Sequence, residues 1–292
     1  DNIIKMKQID FDHGTVTGNI LGVALPMLVA QILSLLYNIV DRIYIARIPS
    51  VGTTALGAVG LCFPIIVIIT AFSNLFGSGG APLFSINRGK GNIKKAEAIM
   101  NTSFSMLCIC GVTLMVIGML FASPILVLFG ASEEGLSYAY PYMMIYLIGT
   151  VPSMIATGMN PFINAQGYAT SGMLSVTIGA VANLILDPLF IFGLNLGIKG
   201  AAIATIISQT LSAAYVFYFL RKKAELKVRV LSKGEWKACR DDAKNIVSLG
   251  SAGFIMQLTN SLVTICCNSV LSGIGGDVYI SVMTIVSSVR QM

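Results

Sequence analysis

Asp41 and Asp187 sit inside long apolar runs, where a carboxylate has to be put to use. Asp41 ends a run that opens at Ile20, and Asp187 lies within residues 174–194, in the string Asn183-Leu184-Ile185-Leu186-Asp187-Pro188. A carboxylate at bilayer depth costs roughly 2.5–3.5 kcal/mol on insertion scales, so it persists where it faces water or a partner and carries an ion or a proton. Asn183 and Asp187 are four residues apart and share one helix face. Asp41 shares a face with Ser34 and Tyr37, and Asn38 lies slightly off it. Carboxylate, amide and hydroxyl oxygens suit hard cations. Two close carboxylates also raise each other's proton affinity. The same set therefore serves Na+ or H+.

The helices that must position these groups are legible in the composition. The chain is 55% hydrophobic and 11% charged, with mean hydropathy +0.81. A soluble domain carries about 25% charged residues. The chain reads as an all-α polytopic membrane protein. A spanning helix needs about 20 mostly apolar residues, and seven such runs cover residues 20–46, 54–77, 99–122, 138–162, 172–194, 201–220 and 246–274, with an eighth opening near Val278. The chain opens at Asp1 without Met and closes inside an apolar run, so a piece of a longer protein is expected, and no cleavable signal peptide is recognisable.

Charge sets the sidedness. Most of the nineteen Lys and Arg fall in three places. Lys5 and Lys7 precede the first span. Arg88, Lys90, Lys94 and Lys95 follow the second. Arg221, Lys222, Lys223, Lys227, Arg229, Lys233, Lys237, Arg240 and Lys244 follow the sixth. The opposite side has Arg42, Arg47 and Lys199 with acidic Glu133 and Glu134. The positive-inside rule then puts the N-terminus in the cytoplasm. The net charge of +6 reflects this placement and implies no nucleic-acid partner.

With that topology, Asp41, Asp187, Asn183, Thr205 and Tyr142 all fall in the outer half of one helix bundle. Blander readings stand beside this one. Asn183 also suits an interhelical hydrogen bond, Thr205 can bond its own helix backbone, and Asp41 can end its span paired with Arg42 or Arg47. Asn160 and Asn164, toward the inner end of the fourth span, either line a cavity or cap that helix. The single His, His13, and six cysteines, five in spans (Cys62, Cys108, Cys110, Cys266, Cys267) and Cys239 in the basic loop, have no metal-ligand or disulfide spacing.

The basic stretch divides the chain into residues 1–220, six spans; 221–245, a linker in which Ser232 to Glu235 has capping-box spacing and starts a short helix; and 246–292, the opening of a second set. The lone Trp236 belongs near the membrane interface. Gln257 echoes Gln31, five residues after Ala252 and Pro26 respectively, which puts Asn260 on Ser34 and Cys267 on Asp41. Two related halves are a common transporter plan. Pro26, Pro64, Pro152 and Pro188 each remove a helix donor and offer pivots.

Taken together, Leu25-Pro26, Tyr37 to Asp41, Leu56 to Gly60, Asn164 to Gly167, Asn183 to Pro188 and Gly197 to Thr205 resemble the multidrug and toxic compound extrusion (MATE) family, in its bacterial DinF/MepA-like branch. The resemblance implies twelve helices in two six-helix lobes, of which this chain holds the N-terminal lobe and about two helices of the second. It implies Na+- or H+-coupled antiport of cationic, amphipathic drugs by a monomer in the plasma membrane, with no cofactor beyond the coupling ion. Asp41, Asn183, Asp187 and Thr205, with Tyr142 beside them, match the cation or proton site. Pro26 matches a bend in the first span and Asn160 a cavity position; Ser34, Tyr37, Asn38 and Asn164 join it as cavity candidates. The alternative is a lipid-linked-precursor or polysaccharide flippase of the same wider superfamily, which needs more basic residues in its cavity. An intramembrane enzyme is disfavoured: there is no Gly-x-Ser-x-Gly, no Gly-x-Gly-Asp and no His in a span.

Overall fold

The computed structural model describes residues 8–9, 15–49, 51–231 and 234–290. Lys5, Lys7, His13, Ser232 and Lys233 lie outside them. Among the described residues the fold is helical throughout, with no strand. Six helices are long and apolar enough to cross a bilayer, and a bent pair makes a seventh crossing. The chain is a multi-pass membrane protein.

The first helix, α1 (Val16–Ala46), opens with Thr15 as a side-chain cap and contains Pro26. Most of its apolar residues are left exposed on the lobe surface, Ile20, Leu25 and Leu28 among them. α2 (Gly52–Gly89) is the most buried helix and runs well past the expected end of its span. Arg88 closes it, where a cation meets the carbonyl end of the helix dipole favourably. Asn92 caps α3 (Ile93–Leu120), accepting from the Lys95 backbone at 3.3 Å. The basic segment between the second and third spans is thus mostly two helix ends. After a short α4 (Ala122–Leu128), Ser132 caps α5 (Glu133–Ile148), with Glu133 and Glu134 in its first turn.

The fourth span was expected to be one run over 138–162. It is instead α5 followed by α6 (Thr150–Ala165), bent by 56°. Pro152 lies in the first turn of α6, where its missing N–H is tolerated but its ring excludes the carbonyl of Ile148 from a straight helix. α7 (Ala169–Pro188) ends as an α-helix at Pro188 and continues as a π-turn over Leu189–Gly193. α8 (Ile198–Tyr218) starts beyond a turn in which Gly197 has φ +56° and closes in a second π-turn, Phe219–Lys223.

The segment at 224–231 packs onto the first lobe. Gln166 clamps it from both sides, accepting from Leu226 N at 2.9 Å and donating to Leu226 O at 3.4 Å. Asn101 accepts from Arg229 N at 2.8 Å, and Ser105 from Leu231 N at 3.1 Å. Leu226, Val228 and Leu231 are buried against the helices. The short helix expected from Ser232 begins at Glu235 as α9 (Glu235–Ala238), and its N-cap Gly234 makes no side-chain bond. The expected capping box rests on Ser232, outside the described residues; Arg229 donates to both Glu235 carboxylate oxygens, at 2.7 and 3.0 Å. The exposed Arg229 guanidinium is thereby held above its usual range by the Glu235 carboxylate.

The last two expected spans form one element, α10 (Arg240–Arg290), broken at Gly276, where φ is +63°. α10 lies along α2. Near the start of α10, Gly79 and Gly250 bring the backbones together: a Cβ on Gly79 would sit 2.9 Å from Gly250 N. Small residues permit this approach where lipid gives no hydrophobic drive for helix association.

Candidate functional site

Asp187 is fully buried, one residue before Pro188 and the π-turn that follows it. The Asp41 carboxylate, from the last turns of α1, lies within hydrogen-bonding reach of it. Asn183, one turn earlier on α7, donates to Asp187 Oδ1 at 3.1 Å. Three oxygens in this cluster are buried without a hydrogen-bond partner among the described residues: Asp41 Oδ1, Asp187 Oδ2 and Asn183 Oδ1. Buried oxygens without donors call for a proton or a cation, since each otherwise carries its full desolvation cost.

Tyrosines surround the acids. Tyr37 is within hydrogen-bond reach of the Ser34 and Asn38 side chains and within electrostatic reach of Asp41 and Asp187. Buried Tyr142 is in electrostatic reach of the same pair and stacks on Tyr146, ring centroids 6.2 Å apart at 18°. Arg42 stays within electrostatic reach of Asp41. Its guanidinium lies 5.3 Å over the Phe63 ring and donates to Thr284 O at 3.3 Å, so it engages α2 and α10.

Next to this cluster, a cavity of about 440 Å3 opens between α1, α6, α7 and α8. Ser34, Tyr37, Asn160 and Asn164, four of the cavity candidates, are on its wall, and so are Asn183 and Thr205 of the expected cation site. Pro26 and Asn38 are not among its lining residues, and Asp41, Asp187 and Tyr142 stand outside the lining too. Asn38 instead turns back to donate to Ser34 O at 2.6 Å. Thr205 does bond its own helix, donating to Ala201 O at 2.9 Å, which leaves its oxygen free to accept. Asn160 and Asn164 are joined side chain to side chain at 3.1 Å.

Sequence reasoning passed over Asn74 and Gln209, and noted Gln31 only for its echo in Gln257. All three line the cavity, and Asn74 donates to Gln257 Oε1 at 3.4 Å. Gln209 had a readable signal, since it lies one helical turn after Thr205 and so shares its face. Asn74 gave none beyond being polar within an apolar run.

Among the described residues no three His, Cys, Asp or Glu side chains gather as a metal site. The donors at hand are two carboxylates, an amide and a hydroxyl. This oxygen set fits a monovalent cation or a proton and lacks the nitrogen and sulfur ligands of transition-metal centres.

Comparison with known proteins agrees with this architecture. A family model described as MatE matches residues 26–189. The chain is 27% identical to the multidrug export protein MepA of Staphylococcus haemolyticus over 91% of this chain and 58% of that protein. It is 28% identical to a protein of Shewanella oneidensis named FAD transporter, over 86% of this chain and 56% of that protein. It thus spans somewhat over half the length of these curated relatives. Among solved structures, the MATE multidrug transporter DinF-BH superposes with a TM-score of 0.85 at 30% identity, covering 98% of this chain and 64% of that one.

Proposed function

The chain belongs to the MatE family, whose members are transporters rather than enzymes, and from that premise we propose that it serves secondary active efflux. Organic cations leave through the cavity in exchange for Na+ or H+ taken up at Asp41, Asn183, Asp187 and Thr205. The observation that carries this reading is the trio of buried, unpartnered oxygens on Asp41, Asp187 and Asn183 beside a cavity whose wall includes Asn183 and Thr205.

The mechanism is competition. A cation or proton entering from outside neutralises the acid pair and weakens the hold on a cationic drug. Its loss to the cytoplasm restores the charge and the affinity. The two ligands need only favour different conformations of the helices around the site. The bend between α5 and α6 and the π-turn after Asp187 are where helices around the site depart from regular geometry, and Pro26 removes a backbone donor within α1. Tyr142 stands beside the acids, within their electrostatic reach. The basic termini of α2, α3 and α8 fit a cytoplasmic N-terminus, and the transporter works as a monomer.

A phosphate-bearing cargo, whether a lipid-linked precursor or the FAD for which one relative is named, needs cationic partners. Among the described residues, none that lines the cavity is Lys, Arg or His. The drug reading is therefore preferred over the flippase. Efflux of a fluorescent cationic dye from cells expressing the protein, under imposed Na+ and H+ gradients in turn, tests it. Export that follows one gradient and vanishes in Asp187→Asn supports antiport and identifies the ion. Absence of gradient-driven export in the wild type, with surface expression verified, overturns it.

A further inference from the structure

Several side chains of the cavity wall hold an amide oxygen that has no hydrogen-bond partner among the described residues. Asn160 Nδ2 donates to the Gly172 carbonyl at 2.9 Å and to Ser175 Oγ at 2.7 Å. A backbone carbonyl only accepts, so the Asn160 amide has a single orientation, with Oδ1 as its acceptor. Asn164 Nδ2 donates to that oxygen at 3.1 Å. Asn164 is thereby fixed in turn, and its own Oδ1 is left buried without a partner. Asn183 repeats the arrangement beside the acids: its nitrogen donates to Asp187 and its oxygen has no partner. Gln209 directs Nε2 to the Tyr146 hydroxyl at 3.5 Å, and its Oε1 is also without a partner.

The hydroxyls are turned the same way. Thr205, Ser208 and Ser212 donate to Ala201 O, Ala204 O and Ser175 O at 2.9, 2.7 and 2.8 Å. A hydroxyl has one proton, so each of these offers the cavity only lone pairs. These side chains give the wall several acceptors, among them the amide oxygens of Asn164, Asn183 and Gln209, which have no partner among the described residues.

We propose that this cavity selects organic cations that carry N–H donors, such as protonated amines, amidines and guanidines, over equally charged cations without N–H, and that Asn164 and Gln209 are the specificity-determining residues that receive those donors. This rests on the reading of the cavity as the substrate site. A quaternary ammonium and an amidinium bring the same charge to Asp41 and Asp187. Only the amidinium satisfies the bare amide oxygens, and a buried acceptor left unmatched weakens binding roughly tenfold or more.

The test uses equilibrium binding to the purified, detergent-solubilised protein. The probes are the fluorescent bis-amidine DAPI and a derivative in which every amidine N–H is replaced by N-methyl. The expected result is that DAPI binds at least about tenfold more tightly, and that this ratio falls toward one in Asn164→Leu and in Gln209→Met. Gln209→Met keeps the test decisive should Asn164→Leu fail to fold, because it removes only a long 3.5 Å bond from the structure. Equal binding of the two dyes overturns the inference and leaves the cationic-substrate reading intact. So does a preference that survives unchanged in well-behaved Gln209→Met. If neither dye binds, the substrate-site reading falls and the inference falls with it.

Discussion

Asn268 of α10 donates its side-chain amide to Gly60 O of α2 at 3.3 Å, and Gly60 O is the carbonyl that Pro64 deprives of its helical partner. In lipid such a carbonyl has no water to turn to and must be satisfied within the protein. One turn along α2, Ser261 adds a second bond between the helices, donating to Pro64 O at 3.0 Å. The proline in α2 is therefore matched by polar residues on the neighbouring helix. Asn268→Leu should lower stability by about 1–3 kcal/mol, the cost of stranding a buried carbonyl. Pro64→Ala restores a helical donor to Gly60 O, so in that background the same Asn268 substitution should cost much less. Thermal unfolding of the four proteins in detergent gives the cycle, and additive effects would refute the pairing.

Asp187→Asn keeps the shape of the side chain and removes its charge. The Asn183 bond to Oδ1 can persist, so the fold should survive with an unchanged melting temperature. Gradient-driven dye export should drop to the level of cells lacking the protein. Asp41→Asn should behave in the same way, because the two carboxylates lie within hydrogen-bonding reach of each other. Export by Asp41→Asn at the wild-type rate would reduce Asp41 to a span-end residue.

Gly250 lies against the α2 backbone, and a Cβ there would overlap Leu75 O, whereas Gly253 has open space around its missing side chain. Gly250→Ala should therefore push α10 from α2 and cost about 1–3 kcal/mol, as overpacking does. Gly253→Ala should be neutral or slightly stabilising, since it only lowers the helix cost of glycine. Melting temperatures of the two variants side by side decide the matter, and equal values would mean that the helices do not cross at Gly79 and Gly250.

The spans and the acids were readable because bilayer burial imposes a strong pattern: about twenty apolar residues per crossing, and a penalty on every exception. Asp41, Asp187 and Asn183 stood out as such exceptions, and helical spacing put two of them on one face. The bend at Gly149 was less visible, since hydropathy continues smoothly through 138–162 and Pro152 alone does not say whether a helix breaks. The ion pair of Arg229 with Glu235, six residues later, was not visible either, because local spacing does not reveal such a partner. Asn74 was unreadable as a wall residue for the opposite reason: its role depends on α10 and the cavity, both remote in sequence.

The linker after α8 gives the last prediction. Its sequence, rich in Lys and Arg, suggests a solvated tether, yet Gln166 holds both backbone groups of Leu226. Gln166 is itself fully buried, and Arg88 ties the same stretch down through Glu225 at 2.7 Å. Gln166→Leu would leave the Leu226 N–H and C=O buried without partners, so residues 224–231 should lift off the lobe. Trypsin cuts after Lys227 and Arg229 only once the chain there is free to enter its active site. Inside-out membrane vesicles bearing Gln166→Leu should be cleaved in this stretch at least about tenfold faster than wild type, because opening free energy sets the rate when reclosure is fast. Right-side-out vesicles should resist in both cases if the linker faces the cytoplasm. Rapid cleavage of the wild type from the inside would mean that the clamp does not hold, and cleavage from the outside would invert the topology.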